Sequence, residues 1–99
     1  MGVAADGFDW DAGNRDKCQK HGLSLAEIEA FLLENPRVAP DLRHFGREER
    51  LLAIGRNSQG RAVFVVFTIR IRDGIRLIRP LSARYMHGKE IDGYEKESS

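Results

Sequence analysis

The chain has 99 residues, 41% of them hydrophobic, which is enough for one modest core and too little for two. Its longest apolar run, residues 62–67, is far shorter than the roughly 20 residues of a membrane-spanning helix, and no basic stretch followed by an apolar one opens the chain. The single cysteine, Cys18, excludes an internal disulfide and a cysteine-based zinc site within one chain. We therefore expect one domain over residues 1–99, in the cytoplasm.

The charges are distributed unevenly, although the net charge at pH 7 is only +1. Residues 1–40 contain four basic and seven acidic side chains, whereas residues 43–84 contain ten arginines, no lysine and three acidic residues. Arginine presents a planar fork of donors that matches a phosphate group, and a surface that is merely solvated usually includes lysine as well. The arginine-rich segment therefore indicates a ligand that carries phosphate. The alternative is a solvated sheet face.

The chain begins with a short strand or extended segment, residues 8–11, and continues into a helix. Residues 12–20 are polar and only weakly amphipathic. His21 and Gly22 close this helix, because glycine commonly follows a helix end and a cation is favoured there. A helix cap is therefore the alternative to a catalytic role for His21.

The second helix has the clearest sequence signals in the chain. Ser24 and Glu27 form a capping box, in which each side chain accepts a hydrogen bond from a free backbone N–H of the first turn. The helix ends before Pro36, because the residue before a proline disfavours helical geometry. Its buried stripe consists of Leu25, Ile28 and Leu32.

After residue 40 the pattern changes to β-strands, and two hairpins are predicted. Residues 51–56 and 62–72 are rich in Leu, Val, Ile and Phe, and a polar turn separates them. The second hairpin turns at residues 72–74. The length of this loop decides which side chains share a face of the sheet.

A three-residue loop with Gly74 in the left-handed region is favoured for the second hairpin. It places Ile71 opposite Ile75, and Arg70 opposite Arg76 on the other face, so that apolar and basic side chains separate. A two-residue loop would mix arginine with isoleucine on both faces.

The tail, residues 86–96, has only part of the apolar spacing of a helix. Gly88 and Gly93 each cost about 1 kcal/mol relative to alanine in a helix interior, so we predict a marginal helix held by a neighbouring element. The complete order is an extended start, two N-terminal helices, an antiparallel sheet of three to four strands and a C-terminal helix. The fold class is therefore α+β.

Common catalytic motifs are absent: there is no glycine-rich phosphate loop, no nucleophile elbow and no His-Glu-x-x-His pair. The three histidines lack metal-ligand spacing, so neither a metal site nor a cofactor is predicted. RNA cleavage suits the remaining residues, because RNA carries its own nucleophile, the 2′-hydroxyl. The reaction needs a base for that hydroxyl, cations for the charge on the phosphorane oxygens and an acid for the 5′-oxygen.

Several side chains are candidates for these roles. The cationic part would come from Arg70, Arg76, Arg79 and Arg84. The available proton-transfer groups are Lys20, His21, His44, Glu49, Tyr85 and Tyr94. Spacing alone does not choose among them, and an ordinary surface hydrogen bond is the alternative for His44 with Glu49. Trp10 is a candidate platform for base stacking, with a core or edge aromatic as the alternative.

An ordered set of short motifs runs along about residues 8–95. The motifs are Phe8-Asp9-Trp10-Asp11, Lys20-His21-Gly22 before Ser24 and Glu27, Asp41 with Arg43-His44, Glu49-Arg50, Ala53-Ile54-Gly55-Arg56, Val65-Val66-Phe67-Thr68, Ile75-Arg76-Leu77-Ile78, Ser82-Ala83-Arg84, Lys89-Glu90 and Tyr94-Glu95. In this order they resemble the BrnT family of ribonuclease toxins. The resemblance implies a RelE-like fold and a metal-independent endoribonuclease that halts translation.

The same resemblance implies a partner and a set of site residues. The partner would be a BrnA-type antitoxin with a ribbon-helix-helix part, and operator DNA would be bound only by the complex. The matching active-site positions are Lys20, His21, Arg43, His44, Glu49, Arg70 and Arg84, with Trp10 near them. Arg84, at the end of the last strand, is the strongest candidate.

Two other functional classes compete with this interpretation. The first is a non-catalytic subunit that keeps the same fold and docks a partner within a DNA-binding complex. The second is an unrelated small-molecule enzyme, which a chain this short disfavours because a closed pocket usually needs about 300 Å³ or more.

Overall fold

The computed structural model describes residues 5–34, 36–42 and 49–98, and side chains as far as residue 93. Three helices lie in this part of the chain: α1 (Ala12–Gln19), α2 (Leu25–Leu33) and α3 (Gly88–Ser98). The same part forms five strands: β1 (Gly7–Phe8), β2 (Arg37–Pro40), β3 (Leu51–Arg56), β4 (Ala62–Arg72) and β5 (Ile75–Tyr85). The α+β class is therefore confirmed. None of the helices in these ranges is long and apolar enough to cross a membrane.

The five strands form one mixed sheet in the order β1-β5-β4-β3-β2. The neighbours β2–β3, β3–β4 and β4–β5 are antiparallel, whereas β1 is parallel to β5. The prediction of an antiparallel sheet of three to four strands is corrected accordingly. The edge strands β1 and β2 have only two and four residues, which is too short for the alternation of side chains to reveal them.

The two N-terminal helices begin where side chains satisfy the first backbone donors. The predicted capping box of Ser24 and Glu27 is confirmed, with hydrogen bonds of 3.1 Å in both directions. A second box, not predicted from the sequence, opens α1: Asp11 Oδ1 accepts from the Asn14 N–H at 2.9 Å, and Asn14 Oδ1 accepts from the Asp11 N–H at 2.7 Å. Gly22 follows α1 with a φ of 97°, which glycine adopts without strain.

The first hairpin has the predicted strand bounds, but the loop of the second differs from the prediction. Asp73 and Gly74 alone form this loop, with φ values of 51° and 79°, and Arg72 pairs with Ile75. Positive φ at both central residues is typical of a type I′ turn, which favours Asp-Gly and matches the twist of the flanking strands. The predicted three-residue loop is therefore wrong.

The two-residue loop mixes apolar and basic side chains at the hairpin tip. Arg70 lies opposite Leu77 and Ile71 opposite Arg76, so Arg70 and Arg76 occupy opposite faces of the sheet. This mixing is tolerated because the tip extends beyond the core, where Ile71 is 68% and Ile75 49% exposed. A burial pattern specifies the register only where one face is buried.

β5 carries one extra residue relative to β4. Val66 pairs with Ser82 and Phe67 pairs with Pro80, so Leu81 is the additional residue of a β-bulge. Proline has no N–H to donate to a neighbouring strand and is therefore found within sheets mainly at edges and bulges. The bulge accommodates Pro80 in a strand that has a partner on both sides.

The core lies between one face of the sheet and the helices α1 and α2. It consists of Cys18, Leu23, Ile28, Phe31, Leu32, Ala53, Val63, Val65, Phe67, Ile78 and Ala83. Burial also raises the pKa of the Cys18 thiol to about 11, so this cysteine is a small core side chain rather than a nucleophile.

Asn14 connects the start of α1 to the neighbouring strands. Its side chain is buried, and Nδ2 donates to the Asp9 carbonyl at 3.0 Å and to the Pro80 carbonyl at 2.9 Å. Together with the capping box, these bonds fix α1 against β5 and against the segment that follows β1. Asn14 therefore holds that segment on the sheet together with the backbone bond from the Asp9 N–H to the Ile78 carbonyl, 2.8 Å long.

We predict that Asn14→Ala lowers the free energy of unfolding by about 2–3 kcal/mol, since a buried polar group left without its partner costs about 1–3 kcal/mol. Urea denaturation followed by circular dichroism measures this change. Gln19→Ala, an exposed position on the same helix, is the control and should stay within about 0.5 kcal/mol of wild type. Equal losses in the two variants would contradict the anchoring role.

Candidate functional site

On the sheet face turned away from α1 and α2, the strands β4 and β5 carry four arginines. Side chains alternate along a strand and directly paired residues share a face, so the register places Arg70 and Arg72 of β4 with Arg79 and Arg84 of β5. We call this surface the arginine face. The core residues of the same two strands point to the other side.

Three of these arginines surround one carboxylate. Asp9 Oδ2 lies 3.4 Å from Arg72 Nη2, 3.8 Å from Arg70 Nη1 and 3.8 Å from Arg79 Nη1. This oxygen is buried and accepts no hydrogen bond in the described part of the structure. We call Asp9 with Arg70, Arg72 and Arg79 the Asp9 cluster.

A second carboxylate anchors Arg79 at the edge of the cluster. Arg79 Nη2 donates to Asp11 Oδ2 at 2.7 Å. The pKa of the Asp11 carboxyl is lowered, first by the hydrogen bond from the Asn14 backbone and then by the bond from Arg79. The N-cap of α1 therefore also fixes the position of a sheet arginine.

Arg84 binds a different carboxylate near the end of β5. Its Nη1 and Nη2 donate to Glu90 Oε1 and Oε2 at 2.7 and 2.8 Å, a bidentate pair that attaches α3 to the arginine face. The guanidinium also lies 4.6 Å from the centroid of the Phe64 ring. The hydrogen bond with Glu90 raises the pKa of Arg84.

The same pair lowers the pKa of Glu90 to about 2, with a further contribution from the His87 N–H, which donates to Glu90 Oε1 at 3.0 Å. Glu90 is thus ionised at any ordinary pH.

A cavity of about 340 Å³ lies beside Glu90 between α3 and the sheet, lined by Arg37, Ala39, Ile54, Phe64, Met86, Glu90 and Gly93.

The backbone of Glu49, one of the predicted proton-transfer residues, reaches the arginine face. Its carbonyl oxygen accepts a hydrogen bond from Thr68 Oγ1 at 2.8 Å. Thr68 pairs with Arg79 of β5 on its other side, so β4 lies between the Glu49 backbone and Arg79. Three predicted site residues have their side chains on this face: Arg70, Arg79 and Arg84.

Other predicted residues lie elsewhere. Trp10 Nε1 donates to Glu29 Oε2 at 2.8 Å, and its ring packs on the core on the helix side, apart from the arginines. The N–H of Arg76, on the face opposite Arg70, donates to Asp6 Oδ2 at 2.8 Å. Arg43 and His44 lie outside the described residues.

Lys20 and His21 are exposed at the end of α1. The adjacent Gly22 lies beside the Tyr85 ring, on the helix side of the sheet and at the same end of β5 as Arg84. Arg61 also stacks on that ring, 3.5 Å from its centroid. Lys20 and His21 therefore lie at the same end of the sheet as Arg84 but on the opposite face.

Four residues of this surface were not predicted: Asp9, Asp11, Arg72 and Glu90. Asp9 and Asp11 are two apart in an extended segment, which directs both side chains to the same side, and this spacing was a usable signal. Nothing in the sequence pairs Glu90 with Arg84. Within the described ranges, no three His, Cys, Asp or Glu side chains come close enough together to hold a metal ion.

The attachment of α3 by Glu90 is expected to depend on pH. Because the folded pKa, about 2, is below the ordinary 4.5, the stabilisation is complete above about pH 5 and is lost as the pH falls toward 2. Urea denaturation of wild type and Glu90→Gln should therefore show a stability difference that shrinks on acidification.

Asp92→Asn changes an exposed carboxylate on the same helix and serves as the control for this measurement. Its stability should differ little from wild type at every pH. A difference between wild type and Glu90→Gln that stays constant from pH 6 to pH 2 would show that the Arg84–Glu90 pair does not stabilise the fold.

The chain was also compared with known proteins. A family model described as "Ribonuclease toxin, BrnT, of type II toxin-antitoxin system" matches residues 10–90, which span α1 through the beginning of α3 and include the arginine face. A search of curated proteins found no match. The resemblance inferred from the sequence motifs is therefore confirmed. The chain belongs to the BrnT family of ribonuclease toxins of type II toxin–antitoxin systems.

Proposed function

We propose that this protein is a metal-independent endoribonuclease with a RelE-like fold, which cleaves RNA on the arginine face and thereby halts translation. The observation that carries the proposal is the geometry of Arg84. Both of its terminal nitrogens are directed at two oxygens of one carboxylate, at 2.7 and 2.8 Å. A phosphodiester presents its two non-bridging oxygens in a similar arrangement, so the same fork suits an RNA phosphate.

The chemistry follows from the nucleophile that RNA supplies. A base removes the proton of the 2′-hydroxyl, the 2′-oxygen attacks the phosphorus, and the bond to the 5′-oxygen breaks after an acid protonates that oxygen. The products are a 2′,3′-cyclic phosphate and a 5′-hydroxyl. Arg84 stabilises the charge on the phosphorane oxygens, which is where a fixed cation lowers the barrier.

Glu49 is the preferred proton-transfer residue, because its carbonyl is bound to Thr68 Oγ1 at the arginine face. Arg70 and Arg79 provide further positive charge on the same face. The remaining candidates for proton transfer are Lys20, His21 and His44. Arg43 and Arg76 remain candidates for substrate binding, and Trp10 remains one for base stacking.

Membership of a type II toxin–antitoxin family implies an antitoxin protein as partner. We propose that this partner is of the BrnA type, with a ribbon-helix-helix part, and that the complex rather than the toxin alone binds operator DNA. The toxin would act in the cytoplasm, where messenger RNA and ribosomes are located.

The test is induced expression in a bacterial host, with growth and total RNA followed for wild type and Arg84→Ala. Loss of Arg84 should reduce cleavage by about 10²–10³-fold, the usual effect of removing one donor that stabilises transition-state charge. Cleavage by the purified wild type should persist in EDTA. Arg15→Ala, an exposed arginine on α1, should cleave like wild type.

Glu90→Gln provides the sharper control, because it removes the ion pair with Arg84 while keeping the guanidinium. Retained cleavage in Glu90→Gln with loss in Arg84→Ala would assign the effect to Arg84 rather than to the attachment of α3. A folded wild-type protein that causes no arrest and leaves RNA intact would contradict the proposal. That result would favour the non-catalytic partner-binding subunit.

A further inference from the structure

The Asp9 cluster has two layers. The inner layer is the Asp9 carboxylate, whose side chain is 12% exposed and whose Oδ2 is buried. The Arg79 side chain, 15% exposed, belongs to the same inner layer. The outer layer consists of the guanidinium groups of Arg72, 59% exposed, and Arg70, 36% exposed. Two cations are therefore presented to solvent above a buried anion.

Asp9 holds these arginines by charge rather than by directed hydrogen bonds. Its distances to their nitrogens, 3.4 to 3.8 Å, exceed the roughly 2.7–2.9 Å of a charge-assisted hydrogen bond. Asp11 binds Arg79 at the edge of the cluster. Arg70 and Arg72 are therefore the cations of the cluster that a ligand on the arginine face meets first.

We propose that the Asp9 cluster is a second binding site for a phosphate of the RNA backbone. The phosphate binds on the solvent side of Arg70 and Arg72, and the Asp9 carboxylate lies beneath them, where its negative charge partly offsets theirs. This proposal rests on the proposed function, because it assumes that RNA also reaches Arg84 on the same face.

The position of the cluster fits one continuous RNA strand. Arg79 and Arg84 both lie on β5, and their partners Thr68 and Phe64 on β4 are four residues apart, so at about 3.3 Å per residue the separation is roughly 13 Å. Stacked nucleotides of a single strand rise about 3.4 Å each, so this separation corresponds to about four nucleotides. An RNA segment of that length can contact Arg84 with one phosphate and the Asp9 cluster with another.

The experiment measures binding without cleavage. A fluorescent 2′-O-methyl octaribonucleotide, which lacks the nucleophile, is titrated with the full-length protein at several salt concentrations. Four proteins are compared: wild type, Asp9→Asn, Arg72→Gln and the control Arg15→Gln. Circular dichroism and thermal melting verify that each variant is folded.

Asp9→Asn removes a negative charge and should steepen the dependence of log K on log salt by about 0.7, which corresponds to about fivefold tighter binding at 0.1 M salt. Arg72→Gln should reduce the slope by about 0.7 and weaken binding by a similar factor. Arg15→Gln should match wild type. If the ion pair between Asp9 and Arg72 only stabilised the fold, the two variants would change the melting temperature and leave the slope of log K against log salt unchanged.

Wild-type affinity and slope in both folded variants would overturn the proposal, as would variants that alter neutralisation by the antitoxin but not binding of the oligonucleotide. If Asp9→Asn fails to fold, the mostly exposed Arg72 decides the question alone. The two proposals fail separately. RNA cleavage without these slope changes would leave the proposed function standing, whereas the slope changes without cleavage would leave the second phosphate site standing.

Discussion

The one extra residue in β5 determines which side chains lie on the arginine face and which face the core. Arg79 and Arg84 are five positions apart, and in a regular strand an odd separation would place them on opposite faces. Leu81 bulges out between them, so both lie on the arginine face while Ile78 and Ala83 both reach the core. The proposed RNA surface therefore depends on an irregularity of the sheet.

The low net charge of the chain has a structural origin. The acidic first third is not a separate solvated surface, because Asp9 and Asp11 fold onto the arginine-rich strands, and Glu90 from the tail does the same. Each group of arginines on this face is thus associated with a carboxylate from a distant part of the sequence. The number of arginines in these two strands consequently overstates how basic their surface is.

The sequence predicted features that depend on local chemistry, and it missed those that depend on tertiary pairing. The capping box of α2 and the β3–β4 hairpin were correct because their signals lie within a few residues. The strands β1 and β2 are too short to show periodicity. The loop of the second hairpin was predicted wrongly, because the separation of apolar and basic side chains onto two faces was given more weight than the turn geometry that Asp-Gly favours. Pro80 lies within a strand and is a sign of the bulge that the prediction did not use. The position of Arg84 near the end of the last strand was predicted from the sequence, but its partner Glu90 follows only from the folded chain.

Under the proposed function, the two arginine sites bind an RNA phosphate in different ways. At Arg84 a carboxylate already occupies both terminal nitrogens, so a phosphate that uses the same fork must exchange with Glu90, and the hydrogen bonds of the guanidinium are conserved in the exchange. At the Asp9 cluster the carboxylate lies beneath the guanidinium groups, so a phosphate adds without displacing it. A phosphate that adds to the Asp9 cluster is held by electrostatic attraction, so its binding weakens steeply as the salt concentration rises. A phosphate that replaces Glu90 at Arg84 exchanges one anion for another and changes the local charge less. Under the proposed function, the Asp9 cluster therefore supplies affinity and Arg84 supplies the directed contact that cleavage requires.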